Sequence, residues 1–578
     1  MLDHPEEWKA SSARKRPERF HWQELGRAFE RRQRALLAWL GGWPALRSLS
    51  VAIVPLALSP WLYAELRKEL TAPLFRDAAQ CQYSGWCIRH GVRLYSEVGA
   101  PDGPLIHFLH AFLQLFGGTK DSGFRRADLW FQLVCSGAMG VALSPRLATH
   151  RLGRFLSRAA WALLGAGLWL SWYLLQGWEH TIQRDAYFAL LGYLGLVLIY
   201  ASADHAPKVA RLTAMAGGVL CMLLVFSRQS GIIYPASALL ALLLPGDATR
   251  QLRALRVKAV LQGFALGFGL VLLGLLLFGS VSGLGFWYVR FPFVYYRWLA
   301  KQNAFYLFSE VYGDAAQIAV IALVGIVAAT AVRALPPRAL CFAFAPLLHL
   351  VAACLQGKGW ANHVQQTTAI EVVLELLVLS EVWKYRAERV RWQPVHAVFA
   401  ALALLFAGYA ANNRVRSSWF FGAPLPVPAD DEIVEAKRVG NYLKAHTKPD
   451  GRLFYYGHEA HVYLNAERRP AVPNYVNMSL NIELLYTATP PAPNEGPNAE
   501  QRAAIRRLQR DIARDACRRL KARPPAAMVF LDGSLDIFGD GRADVAHLCP
   551  ALPSLLKKYH EVSVPGVAPQ YHVYLRGQ

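Results

Sequence analysis

Apolar stretches of about 20 residues recur along the first 411 positions of the sequence, and a helix of about this length crosses the hydrocarbon core of a bilayer. Eleven segments fit this pattern: 46–64, 128–144, 157–176, 186–202, 209–226, 229–245, 257–279, 315–332, 339–355, 366–383 and 394–411. A shorter apolar stretch, Leu105 to Phe116, predicts a helix that lies in the interface or dips into it. The sequence therefore predicts a polytopic α-helical membrane protein with about 11 transmembrane helices.

Composition agrees with a membrane protein and excludes other classes. Hydrophobic residues make up 54% of the chain and charged residues 18%. This apolar content exceeds what a water-soluble surface can hide, and it excludes an intrinsically disordered chain. The formal net charge of +22 would suit either a nucleic-acid-binding protein or a membrane protein. The positions of the charges decide between these two classes.

The basic residues are concentrated on one side of the predicted membrane. With a cytoplasmic N-terminus, the inner segments hold 26 Lys and Arg against 9 Asp and Glu, whereas the four short outer loops hold 6 Lys and Arg. Because positive residues favour the cytoplasmic side, we expect the N-terminus inside and the C-terminus outside. The expected location is the bacterial inner (cytoplasmic) membrane, as a multi-pass protein with no nucleic-acid partner.

Three parts are expected along the chain. A basic cytoplasmic segment covers 1–45, a transmembrane part with a large first periplasmic loop at 65–127 covers 46–412, and a periplasmic α/β domain covers 413–578. In this last part, strands are predicted at 453–456, 527–531, 562–564 and 571–574, and helices at 431–446, 498–522 and 551–559.

Four of the eight cysteines lie outside the predicted spans. Cys81 and Cys87 fall in the first outer loop, and Cys517 and Cys549 fall in the C-terminal part. One pair in each outer part is compatible with two disulfides in an oxidising compartment. No CxxC or Cys/His spacing points to a zinc site.

Ionisable residues at a membrane edge are costly, and therefore they inform about function. The predicted outer edge carries acids (Asp77, Asp102, Glu179, Asp185), cations (Arg76, Arg228, Lys358) and the neighbouring side chains of Tyr83, Trp360 and His363. Such a ring suits a polar, anionic substrate held at the membrane surface. A belt of interfacial anchors explains single Trp and Tyr residues at least as well, but it does not explain the acids.

Four stretches of this outer edge resemble a known family. Arg76-Asp77 follows the first span, then come Gly91-Val92-Arg93-Leu94-Tyr95, Asp102-Gly103-Pro104-Leu105 and, much later, Lys358-Gly359-Trp360-Ala361-Asn362-His363. This layout, with a polytopic half and a small periplasmic α/β domain, resembles the GT-C glycosyltransferases that use polyprenyl-phosphate sugars, such as protein O-mannosyltransferases and the lipid A aminoarabinose transferase. Two positions differ: many relatives have a second acid where this chain has Ala78, and Lys-Pro-Pro where it has Asp102-Gly103-Pro104.

The resemblance implies a reaction and a set of roles for these residues. A sugar would pass, with inversion, from a polyprenyl-phosphate donor to a periplasmic or lipid-linked acceptor, and residues 46–412 would form the catalytic domain. Asp77 matches the family's catalytic acid and is expected to act as general base. Arg228, Lys358 and His363 are expected to bind the donor phosphate, with Arg290 and Arg297 as second choices.

Further residues and partners complete this expectation. Arg76, Tyr83, Asp102, Asp185 and Trp360 are expected to bind substrate. The partners would be the lipid-linked donor, a lipid, glycan or protein acceptor, and membrane lipids. No cofactor is required, although some relatives use a divalent metal. The sugar, the isoprenoid length and the acceptor stay open.

The same residues are compatible with other interpretations. Arg76 could pair with Asp77, Asp185 suits any helix N-terminus, and Asp102 suits any turn. His458, Glu459 and His461 could ligate a metal, but such a cluster is more often a helix start. A transporter or flippase for an anionic lipid or solute would explain the ring of charges, yet it predicts internal repeats that the sequence lacks. A noncatalytic scaffold leaves Asp77 and Lys358 unexplained.

Overall fold

The computed structural model describes residues 30–32, 50–145, 151–244, 249–387, 431–473, 480, 482, 486, 490–533 and 539–577. Twelve principal helices precede the C-terminal part in these ranges: α1 Ile53–Thr71, α2 Arg76–Arg89, α3 Pro104–Gly117, α4 Asp121–Leu143, α5 Arg151–Leu175, α6 Arg184–Ala201, α7 Pro207–Val225, α8 Ile233–Leu243, α9 Arg250–Phe278, α10 Gly313–Ala331, α11 Cys341–Gln356 and α12 Ile370–Ala387. Between α9 and α10, the 281–311 segment folds as a series of single helical turns.

Among the described residues, five helices are long and apolar enough to cross a bilayer: Arg184–Asp204, Pro207–Val225, Arg250–Phe278, Gly313–Ala331 and Pro337–Gln356. Helices also overlap five more of the predicted spans, but they are shorter or carry more charge. The C-terminal half of α1, for example, contains Glu65, Arg67, Lys68 and Glu69. The predicted span at 394–411 lies outside the described residues, as does most of the N-terminal segment.

The predicted short helix at 105–116 is present as α3, an apolar helix with too few residues to span a bilayer. Pro104 occupies its first turn, where a missing backbone N–H costs nothing. Gly103 just before it packs against the link between α7 and α8, since an added Cβ would lie 2.1 Å from the Phe226 carbonyl oxygen. The Gly103 and Leu105 amides donate to Ser227 and Phe226 at 3.1 Å each. The 102–105 turn is thus fixed to the residues that precede Arg228.

The C-terminal part is an α/β unit. Its elements are α13 Asp431–His446, β1 Arg452–Tyr456, α14 His461–Ala466, β2 Arg469–Pro470, α15 Ala499–Ala522, β3 Ala527–Leu531, α16 Gly541–Leu548, α17 Leu552–Leu556, β4 Tyr559–Val562 and β5 Tyr571–Arg576. The strands order as β2-β1-β3-β5-β4, with β2, β1 and β3 parallel and the β5 pairings antiparallel. The predicted strands and helices of this part are confirmed, apart from a shift of a few residues at β4 and a shorter α17.

The two predicted disulfides have different outcomes. Cys517 and Cys549 are bonded and close a loop between α15 and the end of α16. Cys81 and Cys87 are both buried and unbonded, so that pairing is wrong. Both lie on α2, six residues apart, and this spacing turns their side chains to different faces of the helix.

Candidate functional site

Asp77 lies at the start of α2, where the chain leaves an extended residue, Phe75, and turns into the helix. Its side chain is exposed, whereas the next two residues, Ala78 and Ala79, are buried. The positive end of the helix dipole favours a carboxylate at this position. Asp77 interacts electrostatically with Arg184, Tyr296 and His458. An accessible carboxylate therefore lies within electrostatic range of groups from three separate parts of the chain.

A network of ion pairs gathers around Asp185 at the start of α6. Asp185 is buried, with 1% exposure, and accepts from Arg228 and, at 3.3 Å, from Arg184. Arg184 also pairs with Asp102, at the turn before α3. The structure thus brings the predicted residues Asp102, Asp185 and Arg228 together. It does so through Arg184, to which the sequence motifs assigned no role.

Amides from the end of α11 and from the connection between α11 and α12 complete this network. Gln366 Nε2 donates to Asp185 Oδ1 at 2.7 Å, and Asn362 Nδ2 donates to Asp185 Oδ2 at 3.3 Å. Gln356 accepts from Arg228. These groups hold the Asp185 carboxylate and the Arg228 guanidinium in place, and both charges are almost fully buried. Arg184 differs, because its side chain keeps 22% exposure and its Nε has no hydrogen-bond partner among the described residues.

Lys358 is hydrogen-bonded to backbone carbonyls and does not join the ion-pair network. Its ammonium donates to the carbonyl of Tyr296, at 2.5 Å, and to that of Leu299. Burial, with a smaller effect from the charge of Lys301, lowers the pKa of Lys358 to about 7. In this structure Lys358 ties the α11–α12 loop to the 281–311 segment, and its expected contact with a donor phosphate is not preformed.

His363 and Trp360 lie next to each other beside the ion-pair network, with ring centroids 5.2 Å apart. Burial and then the charge of Arg228 hold the pKa of His363 well below its ordinary value. The imidazole is therefore neutral at pH 7, and it can offer a hydrogen bond but not a positive charge. Trp360 is half-buried and also contacts Tyr296, at 5.9 Å between ring centroids.

Arg76 and Tyr83 face the C-terminal part instead of the ion-pair network. Arg76 pairs with Glu432 and Glu459, each at 2.5 Å. Tyr83 is fully buried, donates to the Arg468 carbonyl at 2.8 Å and stacks on Tyr463. The structure therefore gives both residues a part in docking the C-terminal domain, and Tyr83 is not accessible to a substrate.

The pairing of Arg76 also places His458 and Glu459 close to α2. Although burial raises the pKa of Glu459, the hydrogen bond and charge of His461 and the charge of Arg76 lower it overall. Glu459 is thus held as a carboxylate between the two halves of the chain. Within the described ranges, no group of three His, Cys, Asp or Glu residues is placed to hold a metal ion, and the 458–461 cluster does not form one.

Comparisons with known proteins give matches in structure only. No family model matches the sequence and no curated protein matches it. Structural matches include the archaeal oligosaccharyltransferase AglB from Archaeoglobus fulgidus in complex with an inhibitory peptide and a dolichol-phosphate, with 13% identity, a TM-score of 0.41, and coverage of 93% of this chain and 75% of AglB. ArnT from Cupriavidus metallidurans bound to undecaprenyl phosphate matches with 12% identity, a TM-score of 0.46 and coverage of 90% and 97%.

AglB and ArnT are both GT-C glycosyltransferases, the class that the sequence motifs resemble. All the same, the TM-scores lie below 0.5 and the identities are 12–13%. At these values the matches assign no role to any residue of this chain.

Proposed function

We propose that this protein is a membrane glycosyltransferase that moves a sugar from a polyprenyl-phosphate donor to an acceptor at the outer face of its membrane. The observation that carries the proposal is the exposed Asp77 carboxylate at the start of α2, which interacts electrostatically with Arg184 at the start of a span-length helix. A carboxylate base and a partly exposed guanidinium at the membrane edge suit a reaction whose leaving group is a lipid phosphate. The motif resemblance supports the same reaction.

In this mechanism Asp77 accepts the proton of an acceptor hydroxyl or amine as that atom attacks the anomeric carbon. The bond from this carbon to the phosphate oxygen breaks, and its electron pair leaves with the polyprenyl phosphate. The anomeric centre inverts in this single displacement, so no second nucleophilic carboxylate is needed. The acceptor proton is first held on Asp77 and then passes to solvent.

Arg184 is the residue that we assign to the departing phosphate. It is more exposed than Arg228, which is 6% exposed and held by Asp185 and Gln356. A phosphate oxygen can compete for Arg184 with Asp102, whose side chain keeps 22% exposure. Arg228 would then keep Asp185 charged and in position, and Trp360 and His363 would line the site. The aromatic run from Phe286 to Trp298 is the proposed contact for the isoprenoid tail.

The test is transfer by the full-length protein in liposomes that contain an isotopically labelled polyprenyl-phosphate sugar. Asp77→Asn should lower transfer by about 10²- to 10⁴-fold, the range that a general base supplies, while thermal unfolding stays unchanged because Asp77 is exposed. Glu179→Gln, at another exposed acid of the outer edge, should keep wild-type transfer. Wild-type transfer in Asp77→Asn would overturn the mechanism, and movement of unaltered lipid sugar across the bilayer would favour a transporter.

A further inference from the structure

Helix α15 carries a dense positive stripe that the proposed reaction does not use. Seven basic residues of this helix are exposed: Arg502, Arg506, Arg507, Arg510, Arg514, Arg518 and Lys521. The opposite face is apolar and buried on the C-terminal sheet, through Ile505, Leu508, Ile512 and Leu520. Like charges three and four residues apart destabilise a helix. The stripe therefore has a cost that a negative partner would offset.

Few of these charges are neutralised within the described parts of the chain. Asp515 pairs with Arg518 and Arg519, the latter at 2.7 Å. No ion pair reaches Arg506, Arg507, Arg510 or Arg514 from the described residues. The first half of α15 thus presents arginines that form no ion pair with any residue in the described parts of the chain.

Contacts at two places hold this half of α15 beside the 281–311 segment. Just before the helix, Glu495 pairs with Lys301 at 2.7 Å, and the Ala492 amide donates to the Lys301 carbonyl at 2.7 Å. Halfway along the helix, Asp511 lies 3.8 Å from Arg290. The helix therefore runs beside residues that directly follow the span-length helix α9.

The 281–311 segment is itself suited to a membrane interface. Phe293 is 58% exposed and Phe305 is 77% exposed, and both belong to a run of turns rich in aromatic residues. Exposed aromatic side chains at the end of a spanning helix are typical of the lipid headgroup level. This places the neighbouring half of α15 at the height of the headgroups.

Three arginines of the basic stripe lie on the side of α15 that faces this segment. At about 100° per residue, Arg507, Arg514 and Arg518 lie within roughly 60° of Asp511 around the helix axis. Asp511 is the residue that meets Arg290. The orientation of the stripe, its charge and the position of the helix thus agree on one partner.

We propose that the basic stripe of α15 binds the anionic lipid headgroups on the outer face of the membrane that the protein spans. This binding would hold the C-terminal domain over the site. The recognised chemistry is the phosphate of acidic phospholipids, bound by several arginines at short range. Attraction of this kind weakens with salt. Each arginine near such a surface strengthens binding by about fivefold.

The experiment measures hydrogen exchange in α15 of the full-length protein in nanodiscs. Discs of phosphatidylcholine alone are compared with discs that contain phosphatidylglycerol, at low and high salt. We expect exchange in α15 to slow by at least about fivefold in the phosphatidylglycerol discs, and we expect high salt to remove this effect. The buried strand β3 in the same sample reports whether the domain stays folded.

A matched pair of triple variants distinguishes the effect of the stripe arginines from the effect of the protein's net charge. Arg507→Gln, Arg514→Gln and Arg518→Gln together should abolish the lipid-dependent slowing. Lys448→Gln, Lys557→Gln and Lys558→Gln remove the same charge from exposed sites elsewhere and should keep it. Equal loss in both variants, or no lipid dependence in the wild type, overturns the proposal. Slowing by a soluble acidic polysaccharide but not by phosphatidylglycerol also overturns it, in favour of a polyanionic partner.

Discussion

Two groups of paired charges in the helical half differ in their access to solvent. In the first, Arg125 on α4 is 1% exposed and pairs with Glu69 on α1, while Thr181 donates to Glu69 at 2.5 Å. Arg125 Nε also donates to the Ala72 carbonyl at 2.9 Å. In the second, Arg184 and Asp102 each keep 22% exposure. The first pair is sealed by protein groups, and the second lies open at one side.

This difference separates charges that hold helices together from charges that can meet a substrate. A sealed ion pair leaves no room for a ligand, and loss of one partner leaves an uncompensated charge. A partly exposed pair can exchange its partner for a phosphate because a ligand can reach it, and Arg228 stays paired with Asp185 when Arg184 does so. We therefore assign the Glu69–Arg125 pair to stability and the Asp102–Arg184 pair to the site.

The largest expected effect comes from breaking the sealed pair. Arg125→Met leaves the Glu69 carboxylate buried without its cation and should cost about 3–5 kcal/mol in the free energy of unfolding. Thermal unfolding of the detergent-purified protein measures this loss. Arg126→Met, at the exposed neighbour on the same helix, is the control and should unfold like the wild type. An Arg125→Met protein as stable as the wild type would remove the distinction between the two pairs.

The next effect sharpens the cause of that loss. If the uncompensated carboxylate is responsible, adding Glu69→Gln to Arg125→Met should restore about 1–3 kcal/mol. The same thermal unfolding series shows the recovery. Purely additive losses in the double variant would mean that lost packing, rather than the isolated charge, destabilises the single variant.

At the open pair, the effect should fall on activity and not on stability. Arg184→Gln should lower transfer by about 10²- to 10³-fold, the usual cost of losing one group that stabilises developing charge. Its unfolding temperature should stay near that of the wild type. Arg89→Gln, at an exposed residue of α2, should change neither quantity. A large loss of stability without a specific loss of transfer would place Arg184 with the structural charges.

The smallest effect concerns the contact between Arg76 and Glu459, which joins the two halves of the chain. The pKa of Glu459 is lowered in the folded protein, so its contribution is present above the ordinary glutamate value of 4.5 and is lost as pH falls through the lower, folded value. Thermal unfolding should therefore fall less steeply below pH 4.5 in Glu459→Gln than in the wild type. Parallel pH profiles would show that the interactions of the Glu459 carboxylate with His461 and Arg76 do not contribute.

Local patterns in the sequence predicted much of the fold. Apolar length located most helices of the described membrane half, and short runs of apolar and aromatic residues located β1, β3 and β5, because both signals depend on neighbours in sequence. The same reasoning failed for Cys81 and Cys87, where an even count suggested a bond and the helix separates the two thiols. Charged residues extend into α1 and α4, so these two predicted spans are less apolar than the five span-length helices.

The sequence by itself determined which residues could carry the chemistry: Asp77, Asp102, Asp185 and Arg228 were all identified from their position at one predicted edge. Only the tertiary structure decided how they are used. It brought Arg184 between Asp102 and Asp185 and turned Arg76 toward Glu459. It also bound Lys358 to two backbone carbonyls. The reason is physical: an isolated ionisable residue is read from the sequence, but its partner depends on contacts between segments far apart in the chain.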